Sequence, residues 1–257
     1  MSELPIRCFS PSYKRGHEKA IVQEAFPFVK MVVHECEAAA YKENGNDILV
    51  CPDSIRGNIA RVRNWILDQN KDANVVMFDD DVKFIGVWQE QKFRKLNAEE
   101  AEELIETGFN LCDEWGYKMW GINMVVDKGA YREGMPFCTV RPVLGTFCGI
   151  VPNELRYDEK FSLKEDYDYA IQHLYRYRGI LRLNAYQYFA LHNEQAGGCA
   201  VYRTVEKELQ QFDLLQKKWG SEIVRKDWGN DKASVRGDDT LKSFDLNPKI
   251  VSPIPGV

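Results

Sequence analysis

The sequence predicts an α/β fold with a mainly parallel sheet, on three observations. Short strand-like runs alternate with helix-like ones along most of the chain. Several of the helix-like segments place apolar residues at offsets of three and four. The apolar run over 74–78 is a short buried strand that ends directly in Asp79, Asp80 and Asp81.

The elements follow in order. A first strand is expected over 4–9 and another over 47–51, with helix and strand of ambiguous period in 18–25 and 28–41. Residues 54–70 read as a helix, because Ile55, Ile59, Val62 and Ile66 make one apolar face and leave Arg56, Arg61, Arg63 and Asn64 off the stripe. The strand at 74–78 follows. The clearest helix spans 97–116: Asn97 is placed to cap it, Glu100 stands at the third position, and Ala101, Leu104, Ile105, Cys112 and Trp115 make the buried stripe. Strands are expected over 119–126, 145–151 and 180–184, and helices over 166–177, stopped by Gly179, and 204–219, stopped by Gly220. One domain over 1–226 is expected. Residues 227–257, with few apolar groups and many Asp and Lys, are expected to be a tail draped over it or partly disordered.

A chain of 257 residues suits one large α/β domain or two small ones. With 44% hydrophobic and 28% charged residues its composition is that of an ordinary soluble globular protein. No run approaches the roughly 20 apolar residues of a membrane-spanning helix. The start of the chain has no basic stretch followed by an apolar one, so a cytoplasmic location is expected, the host cytoplasm if the protein is phage-encoded. The seven cysteines are odd in number and never spaced C-x-x-C, the pattern of reduced core thiols rather than a disulfide framework or zinc site. The formal charge of −5 offers no global basic field, so a nucleic-acid partner would need a local patch. Trp88, Lys92, Phe93, Arg94 and Lys95 interleave aromatic and basic groups in that way, although a solvated amphipathic loop reads alike. The basic stretch from Arg176 to Arg182 is a second candidate.

Three consecutive carboxylates at a strand end repel one another unless water, a cation or basic partners relieve them. Ligands of open α/β sheets collect at such ends, and hard oxygens there suit Mg²⁺ or Mn²⁺ bridging to a diphosphate. A solvated acidic turn has the same sequence. Arg61, Arg63 and Asn64 upstream are suited to phosphate and to a nucleobase or sugar, and Arg7, Ser10 and Arg15 flank the first strand where they could join the same pocket. Downstream, Glu165 and Asp166 stand at a helix start, as helix caps or as a carboxylate able to take a proton. A late His192 precedes Gly197-Gly198.

The order of these features resembles the GT-A glycosyltransferases. More finely, the chain resembles the TET/JBP-associated glycosyltransferases over roughly residues 5–230, on Ile59-Ala60-Arg61-Val62-Arg63-Asn64, Phe78-Asp79-Asp80-Asp81-Val82, Leu155-Arg156-Tyr157-Asp158, Lys164-Glu165-Asp166-Tyr167-Asp168, Gly197-Gly198 and Lys218-Trp219-Gly220. That family includes the glucosyltransferase of base J synthesis and phage enzymes acting on hydroxymethylpyrimidines in DNA. The resemblance implies a GT-A domain that uses a UDP-sugar with Mn²⁺ or Mg²⁺. Asp79, Asp81 and His192 would be metal ligands. Arg7, Ser10, Arg15, Arg61, Arg63, Asn64, Asp79 and Asp80 would surround the donor. Asp166, beside Glu165, would be the base of an inverting transfer to 5-hydroxymethylcytosine in DNA. Two alternatives stay open: a GT-A enzyme acting on a saccharide, lipid or protein acceptor, and a binding module that has lost catalysis. The sugar and the oligomeric state are not legible.

Overall fold

A computed structural model describes residues 4–124, 131, 133–145, 147–191, 198, 203–227 and 245–254. A ten-stranded sheet runs in the order β3-β2-β1-β4-β9-β7-β10-β5-β6, with the two-residue β8 paired to β10. β1 (Ile6–Pro11), β2 (Lys30–His34), β3 (Ile48–Cys51) and β4 (Asn74–Phe78) form an all-parallel half. The other half contains β5 (Val82–Gln89), β6 (Lys92–Lys95), β7 (Met119–Asn123), β8 (Phe137–Cys138), β9 (Phe147–Ile150) and β10 (Leu181–Ala190). Of the ten, only β5, β8 and β9 run against the common direction, as the mainly parallel expectation requires.

Helices cover both faces. α1 (Ile21–Ala25) and α4 (Ala98–Trp115) close one face, where Val22, Phe26, Phe78, Leu104, Ile105, Phe109 and Trp120 are packed. α4 is held at its start by a full capping box between Asn97 and Glu100, and it ends at Gly116 in the left-handed region. Trp120 is wholly buried between two glycines: a Cβ on Gly108 of α4 would stand 2.4 Å from the indole, and one on Gly149 of β9 would collide with it too. On the other face lie α3 (Ile59–Gln69) and α5 (Glu165–Tyr177), packed through Val62, Ile66, Met77, Ile150, Tyr157, Tyr169 and Leu174. α2 (Ala38–Glu43) follows β2, and α6 (Val205–Trp219) docks on α5 through Phe161, Ile171, Phe212 and Leu215.

Several boundaries differ from expectation for identifiable reasons. The helix expected over 54–70 begins only at Ile59. A short 3-10 turn and Gly57, at φ +85, interrupt the chain before Asn58 caps α3 by accepting from the Ala60 N–H. Within α3, Arg63 is not off the buried stripe but inside it. The segment after Asp81 is a strand hairpin, β5–β6. It turns on Glu90 and Gln91, both at positive φ, where turn sequences ordinarily carry Asn or Gly. Within the segment expected as a tail, β12 (Asp245–Ile250) pairs antiparallel with β11 (Val224–Asp227), and Ile250 packs beside α6.

Candidate active site

The aspartates stand in a turn at the carboxyl end of β4, closed by the Val82 N–H donating to the Asp79 carbonyl at 3.4 Å. That turn sends each carboxylate to a different environment. Asp80 is buried and ion-paired with Arg15, and its other oxygen accepts from the Ser12 hydroxyl. The Tyr41 hydroxyl braces this pair from α2, 2.7 Å from Ser12 Oγ and accepting from the Arg15 backbone N–H at 3.1 Å. Burial raises the Asp80 pKa, and Arg15 and Ser12 pull it back.

Asp79 is partly exposed and receives one arm of Arg63, 3.2 Å from its Oδ1. The other arm reaches Glu165 Oε1 at 3.1 Å, so Arg63 ties the aspartate turn to the start of α5. The guanidinium also lies 5.5 Å from the Tyr157 ring. Loss of hydration opposes its charge, but Glu165, Tyr157 and Asp79 more than restore it. At Glu165 the balance falls the other way. Burial pushes it up to about 7, although Arg63 pulls it down. The pair is therefore an arginine fixed in charge facing a carboxyl that titrates near neutrality.

Asp81 is buried too, and its Oδ1 has no hydrogen-bond partner among the described residues. Burial first, then the neighbouring Asp79 and Asp80, raise it to about 7. The Leu191 N–H donates to the Asp81 carbonyl at 3.1 Å, which brings the chain end of β10 to this point. His192, the next residue, lies outside the described residues. Gly198 donates its N–H to the Tyr13 carbonyl at 2.9 Å, and a Cβ there would stand 3.2 Å from the Arg15 guanidinium. Asp166 is half-buried at the first turn of α5. Its Oδ2 accepts from the Gly145 N–H at 2.9 Å and its Oδ1 from the Tyr167 N–H at 2.8 Å. Gly145 sits at φ +74, a conformation that favours glycine.

The structure thus gathers Arg15, Arg63, Asp79, Asp80, Asp81, Glu165 and Asp166 at one end of the sheet. It does not bring the other expected donor contacts there. Arg7 points to the opposite end, held by Asn70 at 2.9 Å and by Asp72 in a two-point ion pair. Arg61 pairs with Glu159 at 3.1 Å on the surface. Asn64 spends both ends of its amide on the Tyr157 backbone, each at 2.8 Å, fixing that segment rather than meeting a ligand. Ser10 is wholly buried, its hydroxyl without a partner among the described residues. Asp80 is the internal counterion of Arg15, which leaves it no free oxygen for a donor.

Ser12, Tyr41 and Gly145 support the site without any signal in the sequence that marks them, and Tyr157 supports it from within a quoted motif. A second constellation has a structural role. Asp168, wholly buried, accepts from Trp219 Nε1 at 2.7 Å and Gln172 at 2.7 Å and meets Lys218 at 2.8 Å. Lys218 also reaches Asp158 at 2.8 Å. The Tyr157-Asp158, Asp168 and Lys218-Trp219 motifs are therefore one clamp of α6 onto α5. A cavity of about 610 Å³ lies away from the carboxylates, lined by Arg7, Cys8, Phe28, Lys30, Glu102 and Glu106 among others.

The donor set suits a hard divalent cation. Asp79 and Asp81 offer carboxylate oxygens, and the unpartnered buried oxygen of Asp81 is the kind of group a cation satisfies. Among the described residues no three His, Cys, Asp or Glu side chains converge on one point, so a cation here would take further ligands from elsewhere.

Residues 19–198 match the TET-Associated Glycosyltransferase family. The chain belongs to that family. It is therefore a glycosyltransferase, and its domain is of the GT-A kind. A crystal structure of a mycobacterial protein superposes with a TM-score of 0.51 at 11% identity, covering 97% of this chain and 84% of that one. The structure of residues 1–349 of TarS from S. aureus gives 0.45 at 14% identity, covering 93% and 77%. A search of curated proteins finds no match. The family match takes in the aspartate turn, Arg63 and the Glu165–Asp166 pair, and it stops short of the α6 side of the clamp. Among the described residues no helix of this glycosyltransferase is long and apolar enough to cross a membrane.

Proposed function

We propose that this glycosyltransferase moves a sugar, glucose, arabinose or a similar one, from a UDP-sugar to the hydroxymethyl oxygen of 5-hydroxymethylcytosine in DNA, with inversion. The observation that carries the reading is the aspartate turn at one strand end, where Arg63 ties Asp79 to Glu165 beside Asp166 and the buried Asp81 keeps an oxygen with no partner among the described residues. Asp79 and Asp81 would hold Mn²⁺ or Mg²⁺, which when bound neutralises the diphosphate as it leaves. Arg63 orients Asp79 and fixes the start of α5, and Arg15 keeps Asp80 out of the donor's way. Asp166 takes the acceptor hydroxyl proton while that oxygen bonds to the anomeric carbon from the side opposite the diphosphate. The bond from the anomeric carbon to the diphosphate oxygen breaks and UDP departs. The Gly145 and Tyr167 N–H groups hold the Asp166 carboxylate in one orientation for that transfer.

The test is mass analysis of nucleosides after incubating the protein with hydroxymethylated DNA and a panel of UDP-sugars in Mn²⁺. A hexose or pentose added to hydroxymethylcytidine, and none to unmodified cytidine, supports the reading. Transfer to a saccharide, lipid or protein with hydroxymethylated DNA untouched overturns the acceptor assignment and leaves the glycosyltransferase.

A further inference from the structure

The hairpin that leaves the aspartate turn carries an aromatic face. On β5, Phe84, Gly86 and Trp88 share one side, and across the register Phe93 and Lys95 of β6 and Phe189 of β10 join them. The rings run in series: Phe189 stacks on Phe84 at 5.2 Å and 8°, Phe84 meets Phe93 at 6.1 Å, and Phe93 meets Trp88 at 5.3 Å. Gly86 makes this possible, since a Cβ there would stand 2.3 Å from the Phe93 ring. Trp88 is pinned by its Nε1–H donating to Gln187 at 2.9 Å, and Lys95 Nζ lies 4.3 Å from the Phe84 centroid. Phe189 is 41% exposed, and Phe84, Trp88 and Phe93 are partly so. Arg94 is directed elsewhere, to Glu100 at the start of α4 at 2.6 Å, so the acceptor contact expected of it is not on this face.

Two features fix the chemistry of the occupant. β5, β6 and β10 contain no Asp or Glu, and Lys95 shares the aromatic face, in a chain of net charge −5. Saccharide hydroxyls would need polar partners, and the Gln187 amide on this face is engaged by Trp88. Flat rings beside a cation, with no carboxylate on these strands, suit unstacked nucleobases on an anionic backbone. The strip also begins at the site, because Phe84 is three residues beyond Asp81, about 10 Å along a strand.

We propose that the Phe189–Phe84–Phe93–Trp88 face is a stacking platform for the bases flanking the acceptor nucleotide, so that this enzyme engages single-stranded DNA in preference to duplex. The inference rests on the DNA reading above. It adds the strand state of the acceptor and the residues that hold it.

The test uses the full chain and an unmodified ten-nucleotide oligothymidine, alone and annealed to its complement, with binding read by fluorescence anisotropy and Trp quenching. Single strand is expected to bind at least tenfold tighter than duplex, and Phe93→Ala and Phe189→Ala each to weaken it roughly tenfold. Lys95→Glu should do the same. Arg94→Gln on the other face should leave it unchanged, and thermal melts of every variant verify folding. Equal affinity for the two forms, or ring variants that bind as the wild type does, overturns the platform even when hydroxymethylated DNA is glycosylated. Ring variants that lose a malto-oligosaccharide rather than the oligonucleotide overturn its ligand class. Tight single-strand binding through these rings with no transfer to hydroxymethylated DNA leaves the platform standing and sinks the acceptor reading alone.

Discussion

Arg63 is the joint between the aspartate turn and α5, and its removal has a pH signature that can be worked from the structure. In the wild type Glu165 has its pKa raised from 4.5 to about 7, so its contribution to stability is complete below pH 4.5 and is lost as pH rises through 7. Above 7 the loss stops, because the carboxylate is then ionised against Arg63 in the folded state. In Arg63→Met nothing replaces the guanidinium, and the buried Glu165 must stay protonated to remain in place. Stability then keeps falling by about 1.4 kcal/mol per pH unit above 7, until a new and higher pKa is reached. The difference from wild type should be least at pH 6 and larger by about 2–3 kcal/mol at pH 9. Urea unfolding followed by Trp fluorescence across pH 6–9 measures this, and Arg63→Met/Glu165→Gln should flatten the difference. Parallel stability curves, or a slope that survives in the double variant, would refute the assignment of Glu165 as the titrating partner.

Other outcomes follow from the same geometry. Asp79→Asn and Asp81→Asn should each cost about 10²–10³ in transfer rate with an unchanged melting profile, and full activity of both in chelator would remove the metal from the reading. Asp166→Asn should depress single-turnover transfer by roughly 10²–10⁴ while UDP-sugar affinity, measured by calorimetry, holds. Loss of donor binding in that variant, with Glu165→Gln losing only turnover, would exchange their roles. His173 has its pKa lowered from 6.5 to about 4 by burial, so its share of stability is present above pH 6.5 and is lost as pH falls toward 4. His173→Phe should remove about 3 kcal/mol of acid sensitivity from denaturation curves taken over that window. Gly108→Ala should destabilise by about 1–3 kcal/mol, seen as a lowered urea midpoint, because the indole of Trp120 has nowhere to move.

What could be read from the sequence divides along physical lines. α4 was legible because its cap, its stripe and its terminal glycine are all local signals, and the structure realises them except at Trp115, which ends the expected stripe but is exposed in the last turn. The strand before the aspartates was legible for the same reason. The β5–β6 hairpin was not, since its turn uses Glu90 and Gln91 in backbone conformations that their side chains do not advertise. Arg63 could be named as a site residue, but whether it pointed at ligand or at protein depended on Glu165, 102 positions away. Arg61 and Asn64 sit in the same motif and have unrelated fates, one an exposed ion pair and the other a backbone clamp. Type and spacing identified the cluster. Only the approach of α5 and of the 157 segment decided which member faced the centre.

The charge balance of the site sets Asp80 apart from Asp79 and Asp81, the two proposed as cation ligands. Five carboxylates, those of Asp79, Asp80, Asp81, Glu165 and Asp166, are gathered with two guanidiniums, those of Arg15 and Arg63. Arg15 is matched by Asp80, and Arg63 is divided between Asp79 and Glu165. Asp80 thus takes up the Arg15 guanidinium, in a pair braced by Ser12 and Tyr41. The excess of negative charge that remains cannot accept a diphosphate directly. Two like charges 4 Å apart repel by about 4 kcal/mol at a protein surface. Under the proposed reading, the same excess would draw a divalent cation and make the donor dependent on one.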